Sequence, residues 1–318
     1  MPRIGVVGAT GVVGRVSLEL LAQRGYDDLR LFASARSAGS EIDGRIVEEA
    51  TPEALAGGDL DLCLFSIGTD ASKELVPHAV RGGAICVDKS AAFRLEPGVP
   101  LVVPEVNRDR ALEHKGIVAN PNCSTIPLTL VLKPLHEAAG LRTVRVATYQ
   151  SKSGAGDATL QRFLSEHPAE HDLAMDWDFD GEDFEDEAKL REETKKIMEL
   201  PDLPVSVTCV RVPVPVGHSE SVWIETEEPL SPDQARELLS RAPAVRLEEF
   251  PTPGKAAGAD EVLVGRVRRD AAAENGLSLF LSCDNLRKGA ALNGIQIAEL
   301  VLSHALTAAM LTYVQGPR

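Results

Sequence analysis

The chain has 318 residues, of which 48 are acidic and 33 basic, with 44% hydrophobic and only 4% aromatic residues. This length predicts two domains, since domains usually have about 100–200 residues, and the composition is typical of a globular protein with a hydrophobic core. The net charge of −15 argues against binding to nucleic acid or to an anionic membrane, because such a charge repels phosphate groups. A ligand that carries phosphate therefore needs a local basic pocket.

The five cysteines are widely spaced and include no CxxC pair. This disfavours both a disulfide framework and a zinc site, so no metal is predicted. The sequence contains no run of 18 apolar residues that could span a membrane. Glycines interrupt the N-terminal MPRIGVVGATGVVG, which is interpreted as a strand and a turn rather than as a signal peptide. We therefore expect a cytoplasmic protein with reduced thiols.

The first 120 residues alternate short apolar runs with amphipathic segments. This alternation is typical of βαβ units with a parallel sheet covered on both faces. The predicted strands are Arg3–Val7, Leu29–Ala33, Asp61–Phe65 and Ala84–Val87, and the predicted helices are Val12–Gln23 and Asp70–Arg81.

The pattern changes after about residue 120, where longer strands with few helices between them predict an antiparallel or mixed sheet. The fold class is therefore α/β, with a Rossmann-type parallel-sheet domain (1–122) followed by an α+β domain (123–292). A helix over about 293–318 is predicted to return to the first domain. The acidic stretch Asp176–Glu187 is interpreted as a loop. The predicted strands are Thr143–Tyr149, Val205–Val212, Ser221–Thr226, Glu261–Arg266 and Leu277–Ser282, and the predicted helices are Ser124–Ala139 and Asn293–Tyr313.

A glycine-rich turn lies between the first predicted strand and the first predicted helix. Gly8, Gly11 and Gly14 would let the turn close tightly and let backbone N–H groups approach a pyrophosphate at the helix N-terminus. The spacing is GxxGxxG rather than the GxGxxG of the dinucleotide-binding fingerprint. A glycine-rich turn that binds no ligand is the alternative.

The segment after the second predicted strand indicates which dinucleotide would bind. A free ribose 2′-OH prefers a carboxylate there, whereas a 2′-phosphate prefers arginine. The chain has Arg36 flanked by Ser34 and Ser37, and no carboxylate before Glu41. This favours NADP over NAD, with a solvated Arg36 as the alternative.

Cys123 differs from the other four cysteines, which lie in or beside apolar strand patterns and are interpreted as core residues. It precedes the helix predicted from Ser124, and a helix N-terminus favours the nucleophilic thiolate. An inert cysteine at a helix start is the alternative. Of the seven histidines, His218 in VPVGHSE lies where glycine and proline bend the chain, so its ring could face a cleft as a base. A structural role for His218 remains open.

Several motifs in order along the chain resemble those of aspartate-β-semialdehyde dehydrogenases. They are GATGVVG, ASARSAG, VVPEVN, NPNCST, TYQSKSGAG, ETKKIM, TCVRVPVPVGHSES and DNLRKGAALNGIQIAE. The resemblance implies NADPH-dependent reductive dephosphorylation of L-aspartyl-4-phosphate to L-aspartate 4-semialdehyde and phosphate, for the synthesis of lysine, threonine and methionine. It also implies that the second domain is the catalytic and dimerisation domain, in a homodimer or homotetramer.

The resemblance further implies a role for each matched residue. Cys123 would be the nucleophile, His218 the general acid/base and Gln150 the residue that orients the substrate. Arg211 would bind the substrate carboxylate, while Arg94, Lys189 and Asn122 would contact phosphate. The residues that match cofactor positions are Gly8, Thr10, Gly11, Val12, Val13, Ser34, Arg36, Ser37, Ser153, Gly154 and Asn285. Because Arg211 and His218 are interpreted as part of one strand, both are expected to face the same cleft.

Two features depart from the family pattern. Asp186 replaces the glutamate that contacts the substrate amino group, and Glu185 and Glu187 flank it, so any of the three could serve. The segment from His167 to Glu185 is acidic where the family has an apolar stretch. Two alternatives to the implied enzyme are an N-acetyl-glutamyl-phosphate reductase, against which the PNCST context argues, and a silent paralogue, against which the four catalytic matches argue.

Overall fold

The computed structural model describes residues 1–165 and 174–315 and divides into two compact units. The first comprises Met1–Pro121 together with the chain from Ala291 onward, and the second comprises Asn122–Ala290. Residues 166–173, which include His167, His171 and the start of the departing segment, lie outside the described residues, as do 316–318. In the described part of the chain, no helix combines the length and the apolar character needed to cross a membrane.

The first unit contains a seven-stranded sheet in the order β3-β4-β2-β1-β5-β6-β7. All neighbouring strands pair in parallel except β3 and β4. Its strands are β1 (Ile4–Val7), β2 (Leu29–Ala33), β3 (Glu41–Ile42), β4 (Arg45–Glu49), β5 (Leu62–Phe65), β6 (Ile85–Asp88) and β7 (Ile117–Ala119). Its helices are α1 (Val12–Gln23), α2 (Pro52–Leu55), α3 (Thr69–Arg81), α4 (Pro104–Asn107) and, from the end of the chain, α10 (Leu292–Gln315), with a 3₁₀ turn at Arg108–Glu113.

Apolar side chains cover both faces of this parallel sheet. Val6 and Leu64 pack in one cluster with Ile295 and Val301 of α10, and Phe32 packs in a second cluster with Val76 of α3. Burial on both faces explains why β1 and β5 are continuous apolar runs rather than alternating ones. The four predicted strands and two predicted helices of this region are confirmed within one residue at each end.

The second unit contains a six-stranded mixed sheet in the order β11-β12-β13-β10-β8-β9. The central pairs are antiparallel, whereas β8 pairs with β9 and β11 with β12 in parallel. The strands are β8 (Leu141–Gln150), β9 (Val205–Arg211), β10 (His218–Thr226), β11 (Val245–Leu247), β12 (Val262–Asp270) and β13 (Gly276–Cys283). The predicted fold class, a Rossmann-type sheet plus a mixed-sheet domain, is therefore confirmed.

The helices of the second unit are more numerous than the sequence predicts. They are α5 (Thr125–Ala139), α6 (Asp157–Ser165), α7 (Glu185–Met198), α8 (Pro232–Arg241) and α9 (Pro253–Ala256), with a 3₁₀ turn at Lys152–Ala155. The prediction of a loop over Asp176–Glu187 is wrong at its end, because Glu185, Asp186 and Glu187 form the first turn of α7. Three consecutive carboxylates suit this position, since acidic side chains stabilise the positive N-terminal end of a helix dipole.

Candidate active site

Cys123 lies in the loop that enters α5, two residues before the helix begins. The side chain of the preceding residue shapes this loop, because Asn122 Oδ1 accepts a hydrogen bond from the Ser124 N–H (2.8 Å) and lies 3.7 Å from Cys123 Sγ. All five cysteines are free thiols, and four of them are buried as predicted, whereas Cys123 is only partly buried. The one thiol at a helix start is therefore also the most accessible one.

His218 is the first residue of β10, and its ring is fully buried. Its Nε2 lies 3.2 Å from Cys123 Sγ. The prediction that glycine bends the chain here is confirmed, since Gly217 has φ +96° and a Cβ at that position would lie 2.7 Å from the carbonyl oxygen of Pro253. The fold thus brings a thiol and an imidazole that are 95 residues apart into direct contact.

The hydrogen bonds of His218 define its protonation. The Ser151 N–H donates to Nδ1 over 3.0 Å, so Nδ1 acts as an acceptor and the proton of the neutral ring belongs on Nε2, which faces Cys123. Burial, followed by the positive charge of Arg211, lowers the pKa of His218 to about 3. In the resting site the neutral imidazole therefore offers its N–H to the sulfur.

A polar network lies behind the ring. Ser151 Oγ donates to Asn285 Oδ1 (3.0 Å), which also accepts from the Gly217 N–H (2.8 Å). Asn285 Nδ2 in turn donates to Ser153 Oγ over 3.0 Å. Ser153 and Asn285, to which the family resemblance gives a cofactor role, thus support the loop that carries His218. Sequence reasoning missed the role of Ser151 as a partner of His218. The only signal for this role was its position next to Gln150.

Gln150 and Arg211 end two adjacent parallel strands, where they are register partners. Both side chains are buried, and Gln150 Nε2 donates to Thr148 Oγ1 over 3.3 Å. The prediction that Arg211 and His218 share one strand is wrong, since Arg211 ends β9, His218 begins β10, and β8 lies between these strands. Both side chains nevertheless approach Gly154, where an added Cβ would lie 3.0 Å from His218 Nε2 and 3.4 Å from Arg211 Nη1.

The carboxylates at the start of α7 have distinct partners. Asp186 is buried and accepts from Asn122 Nδ2 (3.3 Å), one residue from Cys123. Glu187 accepts from the N–H groups of Phe184 and Cys209, each over 2.8 Å, so both of its oxygens bind backbone. Glu185 pairs with Lys189 Nζ at 2.6 Å, and Asp186 lies 3.5 Å from the same nitrogen. Of the three candidates, Asp186 is the carboxylate that lies beside the cysteine loop.

Sequence reasoning also missed Glu193, which lies two turns along α7 from Asp186. Its buried Oε2 accepts from the Asn122 N–H (2.7 Å) and from Thr125 Oγ1 (3.0 Å). A seven-residue spacing on a helix places both carboxylates on one face, which is the signal that could have found it. Glu193 thereby fixes the loop on both sides of Cys123.

Eight of the eleven predicted cofactor residues lie in the first unit, five of them in the turn after β1, whereas Ser153, Gly154 and Asn285 lie in the second unit. Gly8 has φ +87°, and a Cβ on it would lie 2.4 Å from the Ser66 carbonyl oxygen. A Cβ on Gly14 would lie only 2.1 Å from the Gly8 carbonyl oxygen. Gly11 caps α1, so Val12 and Val13 follow as its first turn, preceded by Thr10. This turn leaves helix N–H groups available, as a pyrophosphate requires.

Two predicted anion-binding arginines differ in their surroundings. Arg36 is exposed in the turn after β2, where the Ser37 N–H donates to the Ser34 carbonyl oxygen over 2.8 Å. Arg94 is buried, and its guanidinium donates to the carbonyl oxygens of Asn120 (3.0 Å) and Lys89 (2.6 Å). Backbone carbonyls thus hold Arg94 in place, whereas Arg36 can reach a ligand in solution.

Two family models match the chain. One is described as the semialdehyde dehydrogenase NAD binding domain and matches residues 3–114, and the other is the semialdehyde dehydrogenase dimerisation domain and matches residues 132–288. Together they define a semialdehyde dehydrogenase with an NAD(P)-binding domain and a dimerisation domain.

Similar individual proteins indicate which kind of semialdehyde dehydrogenase this is. The aspartate-semialdehyde dehydrogenase of Streptomyces akiyoshiensis is 46% identical, over 94% of this chain and 98% of that protein. Aspartate semialdehyde dehydrogenase II of Vibrio cholerae, solved in complex with ASA, is 37% identical with a TM-score of 0.89, over 95% of this chain and 98% of that one. The Candida albicans enzyme, solved with NADP, is 25% identical with a TM-score of 0.78, over 96% of this chain and 100% of that one. The chain belongs to the aspartate-semialdehyde dehydrogenase family, whose reaction serves lysine, threonine and methionine synthesis.

Proposed function

We propose that the chain catalyses the NADPH-dependent reductive dephosphorylation of L-aspartyl-4-phosphate to L-aspartate 4-semialdehyde and phosphate, through a thioester on Cys123. The observation that carries the proposal is the 3.2 Å separation of Cys123 Sγ and His218 Nε2 at the start of a helix. A thiol, an imidazole that orients it and a third group that fixes the imidazole are the parts that covalent catalysis requires.

Cys123 attacks the acyl carbon as a thiolate, the bond from that carbon to the phosphate oxygen breaks, and phosphate leaves. NADPH, when bound, would supply the hydride that reduces the thioester carbon, and the aldehyde forms as the bond from that carbon to sulfur breaks and the sulfur regains its electron pair. We assign His218 the general acid/base role: with its proton on Nδ1, 3.1 Å from Ser151 Oγ, the ring can take the Cys123 proton on Nε2 and return it to the oxygen that gains charge. Gln150 orients the acyl group with a neutral amide, which adds no charge.

The substrate carries negative charge at both ends, so we assign two cationic regions to it. Arg211 binds the carboxylate, for which a planar guanidinium is suited. Arg94, Lys189 and Asn122 bind the phosphate. Asp186 binds the amino group, since Glu187 is engaged by backbone N–H groups and Glu185 by Lys189. Without the resemblance, each basic residue would pass as an ordinary surface or structural residue.

The cofactor we propose is NADP, held by the turn of Gly8, Thr10, Gly11, Val12 and Val13. This turn suits a pyrophosphate because a side chain at Gly8 or Gly14 would fill the space that the backbone needs. The exposed Arg36, with Ser34 and Ser37, would bind the 2′-phosphate. Ser153, Gly154 and Asn285 would lie towards the nicotinamide. The similar Candida albicans enzyme, whose structure was solved with NADP, supports this choice.

We further propose that residues 1–122 with the last helix form the cofactor domain, and residues 123–292 the catalytic and dimerisation domain. We expect a homodimer or homotetramer, which the match to a dimerisation domain supports, and light scattering that found a monomer would contradict it. A location in the cytoplasm stays a prediction.

The assay that tests the proposed function runs the reaction in reverse. Purified protein is mixed with L-aspartate 4-semialdehyde, phosphate and NADP, and NADPH is followed by its absorbance. We expect NADPH only when all three compounds are present, and a lower rate with NAD in place of NADP. N-acetyl-glutamate semialdehyde serves as the competing substrate. A preference for it, or no turnover of either, would reject the proposal.

A further inference from the structure

Arg211 already holds a carboxylate. Its Nε lies 2.9 Å and 3.2 Å from the two oxygens of Asp176, and its Nη1 donates to the Ser151 carbonyl oxygen over 3.0 Å. The Trp177 ring covers the guanidinium, with the Cζ of Arg211 4.6 Å from the ring centroid. Only 3% of the Arg211 side chain is exposed. Asp176, Trp177 and the Ser151 carbonyl therefore cover the arginine side chain that we assign to the substrate carboxylate.

The carboxylate comes from residues 174–184, which we call the strap. The strap joins the edge of the sheet through the bridge between Ala174 and Arg211, whose two N–H···O distances are 3.0 Å and 2.7 Å. A second bridge links Phe179 with Phe184, just before α7. Asp176 lies two residues beyond the bridge at Ala174, and its carboxylate meets the guanidinium of Arg211.

The two partners of this ion pair differ in solvent exposure. The Asp176 side chain is 43% exposed, against the 3% of Arg211. An exposed carboxylate returns to water at little cost, whereas a buried guanidinium needs an anion to replace the one it loses. The ion pair can therefore break when another carboxylate replaces Asp176 at Arg211. When no other carboxylate is present, the pair between Asp176 and Arg211 stays formed.

We propose that Asp176 is an internal competitor for the carboxylate site of Arg211, and that it sets the affinity of the enzyme for its substrate. Asp176 ends in the same carboxylate group as an aspartate-derived substrate, and both would need the Nε edge of one guanidinium. This inference rests on the proposed function in one respect, the assignment of Arg211 to the substrate carboxylate. The closed strap reduces the apparent affinity by the fraction of molecules in which Arg211 is occupied.

The opposite role for Asp176, binding the substrate amino group while it stays on Arg211, makes the opposite prediction. In that arrangement Arg211 would have to contact both carboxylates at once, although the ring of Trp177, the Ser151 carbonyl and Asp176 leave it almost no exposed surface. Loss of an amino-group ligand would weaken substrate binding, whereas loss of a competitor would strengthen it.

The first experiment measures KM for L-aspartate 4-semialdehyde in the reverse assay for D176N and D178N. Asp178 is exposed, lies in the same strap and carries the same charge, so D178N controls for the loss of one negative charge. We expect D176N to lower KM about three- to tenfold, as the loss of an exposed ion pair allows, with D178N unchanged. A KM for D176N that is unchanged or raised overturns the proposal.

The second experiment needs no turnover and so separates this proposal from the proposed function. Trp223→Phe leaves Trp177 as the single tryptophan of the chain, and its fluorescence is followed while succinate is added. We expect a saturable change that reaches its midpoint at lower succinate when D176N is also present, and at an unchanged concentration with D178N. An enzyme inactive in the reverse assay that still gives this result retains the proposal and rejects the function. No fluorescence change with succinate, or equal midpoints with and without Asp176, overturns the proposal.

Discussion

The turn after β1 and the loop before α5 both lead from a strand into a helix, but they are built in opposite ways. The β1 turn depends on glycines that lack side chains, and the Cβ positions of Gly8 and Gly14 are blocked by carbonyl oxygens. The cysteine loop depends on side chains, since Asn122 Oδ1 accepts from the Ser124 N–H, and Glu193 accepts from the Asn122 N–H and Thr125 Oγ1.

This difference determines which substitutions disrupt each region. A turn formed by backbone is disrupted when a single methyl group is added, because the neighbouring carbonyl cannot move away. A loop formed by side chains tolerates changes in shape better than such a turn does, but it loses its chemical activity when one reactive atom is replaced. Substitutions that change one atom or one small group can therefore separate these two kinds of site.

The largest effect is expected for Cys123→Ser, which exchanges sulfur for oxygen. A serine hydroxyl at this position remains protonated and is a weak nucleophile, so kcat should fall by at least about 10³-fold. The protein should still fold and bind NADPH, because Cys123 is only partly buried. Stopped assays and a cofactor titration measure the two quantities.

The matched control for this change is Cys209→Ala. Cys209 is buried on β9 and is a core residue, so its loss should lower the free energy of unfolding without a comparable loss of kcat. Near-normal turnover by Cys123→Ser, or an equal loss of turnover by Cys209→Ala, would contradict the assignment of the nucleophile.

A smaller effect is expected for Gly14→Ala in the backbone-built turn. The new Cβ would lie 2.1 Å from the Gly8 carbonyl oxygen and 2.9 Å from the Ala9 Cα. Such overpacking costs about 1–3 kcal/mol of unfolding free energy, and the displaced turn should also weaken NADPH binding. Urea unfolding and a cofactor titration measure both changes.

Gly11→Ala is the control for Gly14→Ala, since its Cβ would meet the Gly8 carbonyl oxygen at 3.4 Å, an ordinary contact. Its φ of −76° also suits any residue. We expect Gly11→Ala to unfold at nearly the same urea concentration as the unmodified chain. If the two variants unfold alike, close approach of the backbone does not explain the glycine spacing.

The β1 turn could be predicted from sequence because its requirement is local. A short apolar strand, three glycines and an amphipathic helix lie within 23 residues, and each imposes its conformation on its neighbours. For the same reason the ends of β2, β5 and α3 are predicted within one residue. A parallel sheet between two apolar layers leaves a clear pattern in sequence.

The contact between Cys123 and His218 could be predicted only in part. The residues of NPNCST and VPVGHSE carry the resemblance, but no local rule places His218 against Cys123, which depends on how distant strands pair. The strand β8 inserts between the strands of Arg211 and His218, so seven residues of separation did not mean one strand. The partners of Asp186 and Glu193 likewise lie at the cysteine loop, and the seven-residue spacing of these carboxylates predicts a shared helix face but not what that face contacts.

The last prediction concerns stability alone and the residue Glu220, which lies on β10 two residues beyond His218 and is fully buried. Among the residues that the structure describes, neither of its carboxylate oxygens has a hydrogen-bond partner. Burial raises its pKa well above the ordinary value, so the folded protein keeps Glu220 protonated at pH values where the unfolded chain has lost that proton. Because the folded state then binds the extra proton, this contribution to stability is complete below the pKa of the unfolded chain and is lost as the pH rises.

We therefore expect Glu220→Gln to flatten the pH dependence of stability. The unmodified chain should lose up to about 1.4 kcal/mol of unfolding free energy per pH unit through this group as the pH rises above about 4.5. Glu220→Gln, which copies the shape of the protonated acid, should remove that slope, whereas Glu228→Gln at an exposed position just after β10 should keep it. Urea unfolding at pH 5, 6.5 and 8 gives the slopes, and equal slopes for all three proteins would mean that Glu220 ionises in the folded state and that the interior of this sheet admits water.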